Sequence, residues 1–130
     1  MVMDTSALMA LLLGEPEAET FASAIASDSR RLLSAVSALE ASIVIEARKG
    51  PDGSRELDLL LSRIGAVVVP FNQAQLQIAR DAWRRFGKGN HPAGLNFGDC
   101  CSYALSKASH EPLLFKGKDF SQTDVAPVVV

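Results

Sequence analysis

The chain has 130 residues, 48% of them hydrophobic and 22% charged, with a formal net charge of -2 at pH 7. That length and composition suit a single domain over residues 1–130 with one core, and they exclude a disordered chain. The balance of charge excludes a protein coated in positive charge for nonspecific nucleic-acid binding, but leaves room for a local basic face.

Val2-Met3 reads as a short strand ending at Asp4, after which Thr5 and Ser6 open a helix through Leu13. The apolar run Ala7 to Leu13 is far too short to span a membrane, lacks a basic n-region and follows an acid, so neither a membrane span nor a secretory signal is expected. Gly14 and Pro16 break the helix, and Glu15 to Ile25 forms the next. Arg31 to Leu33 is a short strand. Ser34 or Ser37 caps a helix that runs to about Lys49 and stops at Gly50-Pro51. Ser54 to Ile64 is amphipathic, with Leu57, Leu60, Leu61 and Ile64 on one face. Val67 to Val69 is a buried strand ended by Pro70.

Asn72 caps a helix over Gln73 to Phe86, with Leu76, Ala79 and Trp83 inward. Gly87 to Gly94 is a loop, Gly98 to Ser109 a helix, Pro112 to Phe115 a strand, Lys116 to Asp124 a loop and Val128 to Val130 a last strand. Short apolar strands alternating with helices predict an α/β domain, a mainly parallel sheet with helices on both faces. Adjacent Cys100 and Cys101 fit neither a disulfide nor a zinc spacing, and read as reduced core residues of a cytoplasmic protein.

Four acids stand in otherwise apolar neighbourhoods: Asp4, Glu40, Asp99 and Asp119. Burying carboxylates near one another is costly unless a cation neutralises them. In open parallel sheets, ligands bind at the carboxyl ends of the strands, where Asp4 and Asp119 fall. Each acid has a plainer role to weigh. Asp4 suits a helix cap, although Thr5 and Ser6 offer alternatives that would free it. Glu40 has Val36, Ile43 and Val44 three and four residues away, so it lies on an apolar stripe, where a buried salt bridge is the plainer reading. Asp99 suits the first turn of its helix, with Ser102 and Tyr103 sharing its face. Asp119 suits a turn, and Asp124 competes with it as the fourth acid. Together, with hydroxyls at Thr5 and Ser6, they make an oxygen-only site that selects Mg²⁺ or Mn²⁺ over zinc. Phosphodiester hydrolysis is the natural reaction of such a site.

The stretches M-D-T-S-A-L, S-A-V-S-A-L-E-A, L-N-F-G-D-C-C-S-Y-A-L-S-K-A and L-L-F-K-G-K-D-F-S-Q-T-D-V, in this order, resemble the PIN-domain ribonucleases of the VapC toxin type. The resemblance covers essentially the whole chain. It implies a PIN-like three-layer α/β/α fold and a metal-dependent endoribonuclease whose Asp4, Glu40, Asp99 and Asp119 hold one or two Mg²⁺ or Mn²⁺ ions. It implies cleavage of RNA, typically transfer or ribosomal, to stop translation. It also implies a homodimer and a VapB-type antitoxin, through which alone the pair would meet DNA. A PIN-fold module that binds or processes RNA without a toxin role is the alternative.

For RNA, the residues offer Arg80, Arg84 and Lys88 at four-residue spacing, and Lys116 and Lys118 flanking Asp119. Thr5 and Ser6 would contact a metal or phosphate. Trp83 and Phe86 read as core rather than stacking platforms, and His91 as an inert loop residue. A partner contact is expected on the apolar helices Leu8 to Leu13 and Leu57 to Ile64. A receiver-type phosphotransfer domain would also use an Asp after the first strand and Lys116. It needs an acid on a middle strand, where Val67 to Val69 runs into Pro70.

Overall fold

The computed structural model describes residues 1–130. Eleven short elements follow one another: β1 (Val2–Met3), α1 (Thr5–Leu12), α2 (Ala18–Ser27), β2 (Leu32–Ser34), α3 (Ala35–Lys49), α4 (Pro51–Arg63), β3 (Val67–Val69), α5 (Gln73–Phe86), α6 (Phe97–Ser109), β4 (Leu113–Leu114) and a 3-10 turn (Phe120–Gln122). The strands pair in the order β3-β2-β1-β4, all parallel. Val2 stands opposite Leu32 on one side and Leu113 on the other.

The period of two in a strand sorts the core into two halves. Val2, Leu32 and Leu113 point to one face, where α5 and α6 pack with Phe120 and Val125. Met3, Leu33 and Leu114 point to the other, where α1, α2, α3 and α4 pack through Leu8, Phe21, Ile25, Ile45 and Leu57. The result is the expected three-layer α/β/α architecture with a parallel sheet. Each fully buried Leu contributes roughly 1.5–3 kcal/mol by leaving water, so a two-residue strand suffices when both of its faces are covered.

Local chemistry explains the boundaries. Gly50, at φ 67, ends α3 and is directly followed by Pro51 at the start of α4. Proline lacks the N–H that a first helical turn leaves unused, so it opens α4 three residues ahead of the expected Ser54. Ser34 caps α3, accepting from Val36 N at 3.2 Å. Both cysteines are reduced and buried.

Three expectations are corrected. Val67 and Val68 are exposed, because β3 is an edge strand and only Val69 packs against the α5–α6 core. Leu76 and Trp83 are 42% and 44% exposed, because α5 meets α6 through Ala79, Ala82 and Phe86; small residues there let the helices approach and leave the indole outside. The terminal valines form no strand: Leu113 makes a single bridge to Pro127, and Val129 and Val130 are exposed. Leu8 and Leu57 are buried in the second core, and Leu11, Leu12, Leu13, Leu60, Leu61 and Ile64 are half-buried against it. Exposed apolar side chains lie at Leu39, Ile43, Leu59, Leu76, Trp83 and Phe97.

Candidate metal centre

β1 delivers Asp4 to the carboxyl edge of the sheet, where it is only 4% exposed. Its extended backbone makes it the N-cap of α1. Oδ2 accepts from Ser6 N at 3.0 Å and from Ser6 Oγ at 2.6 Å, while Oδ1 accepts from Ser102 Oγ at 2.6 Å. Of the caps the sequence offered, Asp4 is therefore the one used, and the same carboxylate also reaches across to α6. All its donors are neutral and no cation pairs with it. A buried carboxylate without counter-charge is costly, which makes it a candidate ligand.

Ser102 ties α6 to α3 as well, with Ser37 Oγ 3.1 Å from its Oγ. One turn further along α3, the Glu40 carboxylate abuts α6 at Gly98. A Cβ on Gly98 would lie 2.6 Å from Glu40 Oε2, so only glycine admits this approach. The contacts 37–102 and 40–98 run in opposite senses, so α3 and α6 are antiparallel. Glu40 is half-buried and makes no ion pair or hydrogen bond. Its apolar stripe was expected to face the core, but that place belongs to Ser37, Ala41 and Ile45. Val36, Ile43 and Val44 instead line a shallow groove of about 240 Å³ with Leu39 and Phe97.

Asp99 sits in the first turn of α6 in a capping box. Asn96 Oδ1 accepts from Asp99 N at 2.9 Å, and Asp99 Oδ2 accepts from Asn96 N at 3.0 Å. Its pKa is pushed up to about 6. Burial is the main cause, opposed by the Asn96 amide; the negative charges of Asp4, Asp119 and Glu40 then push it further. All four expected acids therefore act within one field.

Asp119 is exposed in the loop after β4, and its carboxylate caps nothing. Asp124, its rival, is committed elsewhere. It accepts from Tyr103 OH at 2.6 Å and lies 3.3 Å from Lys107 Nζ and 3.4 Å from Arg85. Burial pushes Asp124 up, but Tyr103, Lys107 and Arg85 outweigh it and leave its pKa lowered.

No group of three or more His, Cys, Asp or Glu side chains is drawn together tightly enough to hold a metal ion as the chain stands. The donor chemistry nonetheless fits a hard divalent cation: oxygen ligands only, one buried carboxylate without counter-charge, and one carboxyl that its neighbours hold toward protonation. Neither the Glu40 nor the Asp119 carboxylate is held by a hydrogen bond or ion pair.

The basic residues divide. Arg80, Arg84 and Lys88 line a groove of about 620 Å³ with Trp83, Phe97 and Cys100, and none of the three is ion-paired. Lys88 lies just past the end of α5 rather than on its face. Lys116 is engaged: its ammonium is 3.3 Å from Glu15 and 3.5 Å from Glu17. Thr5 Oγ1 turns inward to Ser37 O at 3.4 Å, and Ser6 Oγ is held between Asp4 and the Lys116 amide. His91 Nδ1 accepts from Ala93 N, and its ring packs edge-on against Phe86. Sequence reasoning offered Ser37 only as a helix cap, gave no role to Gly98 and took Trp83 as core. The only local signal was the glycine immediately before Asp99.

Comparison with known proteins places these residues in context. The PIN domain family matches residues 1–126. The chain is 54% identical over 130 residues to Ribonuclease VapC30 of Mycobacterium tuberculosis, covering 100% of this chain and 99% of that relative. It is 56% identical over 128 residues to a Ribonuclease VapC of Mycolicibacterium smegmatis, covering 98% and 99%. Among solved structures it is similar to M. tuberculosis VapC20, described as a sarcin-ricin loop cleaving toxin, with TM-score 0.79 and 18% identity over 99% of this chain and 98% of that one. It is also similar to VapBC2 from Rickettsia felis, bound to a DNA fragment from their promoter, with TM-score 0.78 and 12% identity over 97% and 94%.

Proposed function

This chain belongs to the PIN-domain family, with VapC ribonucleases as relatives along its full length, and we propose that it is a metal-dependent endoribonuclease acting as the toxin of a toxin–antitoxin pair. The observation that carries this reading is the buried Asp4 carboxylate, which no cation balances, facing α6 beside Asp99, whose carboxyl is pushed up by burial and by Asp4, Asp119 and Glu40, within a turn of an unpaired basic groove.

Asp4, Glu40, Asp99 and Asp119 would hold Mg²⁺ or Mn²⁺. Such an ion supplies polarisation of a phosphoryl oxygen and an activated water for in-line attack. The chain's own residues do the rest. Ser102 donates to Asp4 Oδ1 and fixes that carboxylate's orientation. Gly98 lets the Glu40 carboxylate reach the start of α6, where the helix dipole favours negative charge. Burial and the charges of Asp4, Asp119 and Glu40 push the Asp99 carboxyl up to about 6, a cost that a bound divalent cation would offset. Arg80, Arg84 and Lys88 bind the phosphates of the strand.

The substrate is a transfer or ribosomal RNA, cut to inhibit translation in the cytoplasm. A VapB-type antitoxin restrains the enzyme, DNA contact comes only through that antitoxin, and the toxin is a homodimer. No helix is long and apolar enough to cross a membrane. Incubating the purified chain with total cellular RNA, in Mg²⁺ or Mn²⁺ and in EDTA, tests the proposal. Discrete fragments that disappear with EDTA and with Asp99→Asn support it. Intact RNA under every metal condition would overturn it.

A further inference from the structure

Trp83 and Phe97 are large aromatics that stand 44% and 76% exposed. They line one groove with Arg80, Arg84 and Lys88, whose charges no acid neutralises. The next arginine, Arg85, pairs with Asp81 and Asp124 outside the groove, so unpaired charge on α5 is concentrated on the side where the aromatics lie. In a chain of net charge -2, a groove with three free cations and an apolar floor is selective: it suits a ligand that is anionic along its length and flat and apolar at intervals. Unpaired nucleotides meet that description.

The indole is also held in place. A Cβ at Gly87 would lie 2.5 Å from Trp83 Cε3, so the ring rests on bare backbone where α5 ends. A platform fixed in this way loses little freedom when a base settles on it. At the other end of the groove, Asn96 and Phe97 flank the start of α6, and Asn96 is the capping partner of Asp99. A strand lying in the groove therefore arrives within one helical turn of Asp99.

Resting on the ribonuclease reading above, we propose that the groove between α5 and the start of α6 is a nucleobase-stacking subsite for unpaired RNA beside the cut. Trp83 and Phe97 stack bases, and Arg80, Arg84 and Lys88 hold the intervening phosphates. Bases inside a helix present no open face, so the subsite selects loops and single strands over duplex. Sequence preference at these positions is weak, because every base has a face to stack.

Trp83 is the chain's only tryptophan, so its fluorescence reports the subsite directly. The probes are a single-stranded RNA octamer, an octamer of the same charge with abasic positions, its duplex, and a poly-glutamate peptide. Each is titrated into full-length Asp99→Asn, which binds without cutting. Stacking predicts quenching by the single strand and about 10-fold weaker binding of the abasic octamer. Trp83→Ala and Phe97→Ala, checked for an unchanged melting temperature, are expected to raise KM about 10-fold on a loop-containing RNA with kcat within twofold. Binding of the abasic strand as tightly as the normal one, or quenching by poly-glutamate as strong as by RNA, would overturn the subsite; the second result would assign the groove to an acidic protein partner. Cleavage by both alanine variants at wild-type KM would overturn the subsite while leaving the ribonuclease intact. A wild-type chain that neither binds nor cuts RNA would overturn both.

Discussion

Helix α6 carries two carboxylate networks, and they are built on opposite terms. Around its first turn, Asp99 meets Asp4, Glu40 and Asp119, and no cation balances any of them. Toward its other end, Asp124 meets Tyr103, Lys107 and Arg85. The first network raises its acid to about 6 and the second lowers its own. A balanced cluster holds the fold together. An unbalanced one costs stability until something outside the chain supplies the charge, and that imbalance marks the site.

The largest test of this contrast is Asp99→Asn. Cleavage is expected to fall at least about 100-fold in a single-turnover assay, while the melting temperature in EDTA holds or rises because like charge has been removed. A variant that unfolds would place Asp99 with the structural acids. Next comes the opposite network. Asp124→Ala strands the Tyr103 hydroxyl and frees Lys107 and Arg85, so denaturant unfolding should show a loss of about 1–2 kcal/mol with cleavage within twofold of wild type. A large loss of cleavage instead would move the fourth ligand from Asp119 to Asp124.

Gly98→Ala sharpens the contrast within the first network. The added Cβ displaces the Glu40 carboxylate, so cleavage should drop about 10-fold, although alanine is the better helix former by roughly 0.5–1 kcal/mol. Unchanged cleavage would show that Glu40 is not needed where it stands. The smallest effect is in pH. Folded Asp99 keeps its proton up to about 6 and unfolded Asp99 loses it near 3.8. Between those values the folded state binds more protons, so stability from this group falls as pH rises and is level above. After solvent screening the fall is about 1 kcal/mol, visible in melts in EDTA between pH 4 and 7 and absent from Asp99→Asn. Asp124 runs the other way: its contribution is present above its ordinary pKa and lost as pH falls below it.

The same contrast explains what could be read from the chain alone. Four of the five expected strands were legible because short apolar runs between helices leave few alternatives, while the terminal valines made only a bridge at Pro127; the acids were legible because carboxylates among apolar neighbours are rare. Asp4, Glu40, Asp99 and Asp119 could be named, but not their state, since the field that raises Asp99 comes from three other segments. Lys116 shows the limit on the other side: Glu15 and Glu17, about a hundred positions earlier, take the ammonium assigned to RNA. Ser102 could be placed near the site by its spacing from Asp99, but its bond to Asp4 spans 98 positions. Trp83 misled because its spacing fits an inward stripe as well as Ala82 does, and only the close approach of α5 to α6 decides between them. Val67 and Val68 misled because apolar composition does not distinguish an edge strand from a central one.

Calorimetric titration of Mn²⁺ into the EDTA-treated and dialysed chain, beside Asp99→Asn and Asp124→Ala, tests the division most directly. The wild type and Asp124→Ala are expected to bind with the same affinity, and Asp99→Asn at least about 10-fold more weakly. Equal binding by wild type and Asp99→Asn would contradict the account, because the unbalanced end of α6 would then not be where the cation goes.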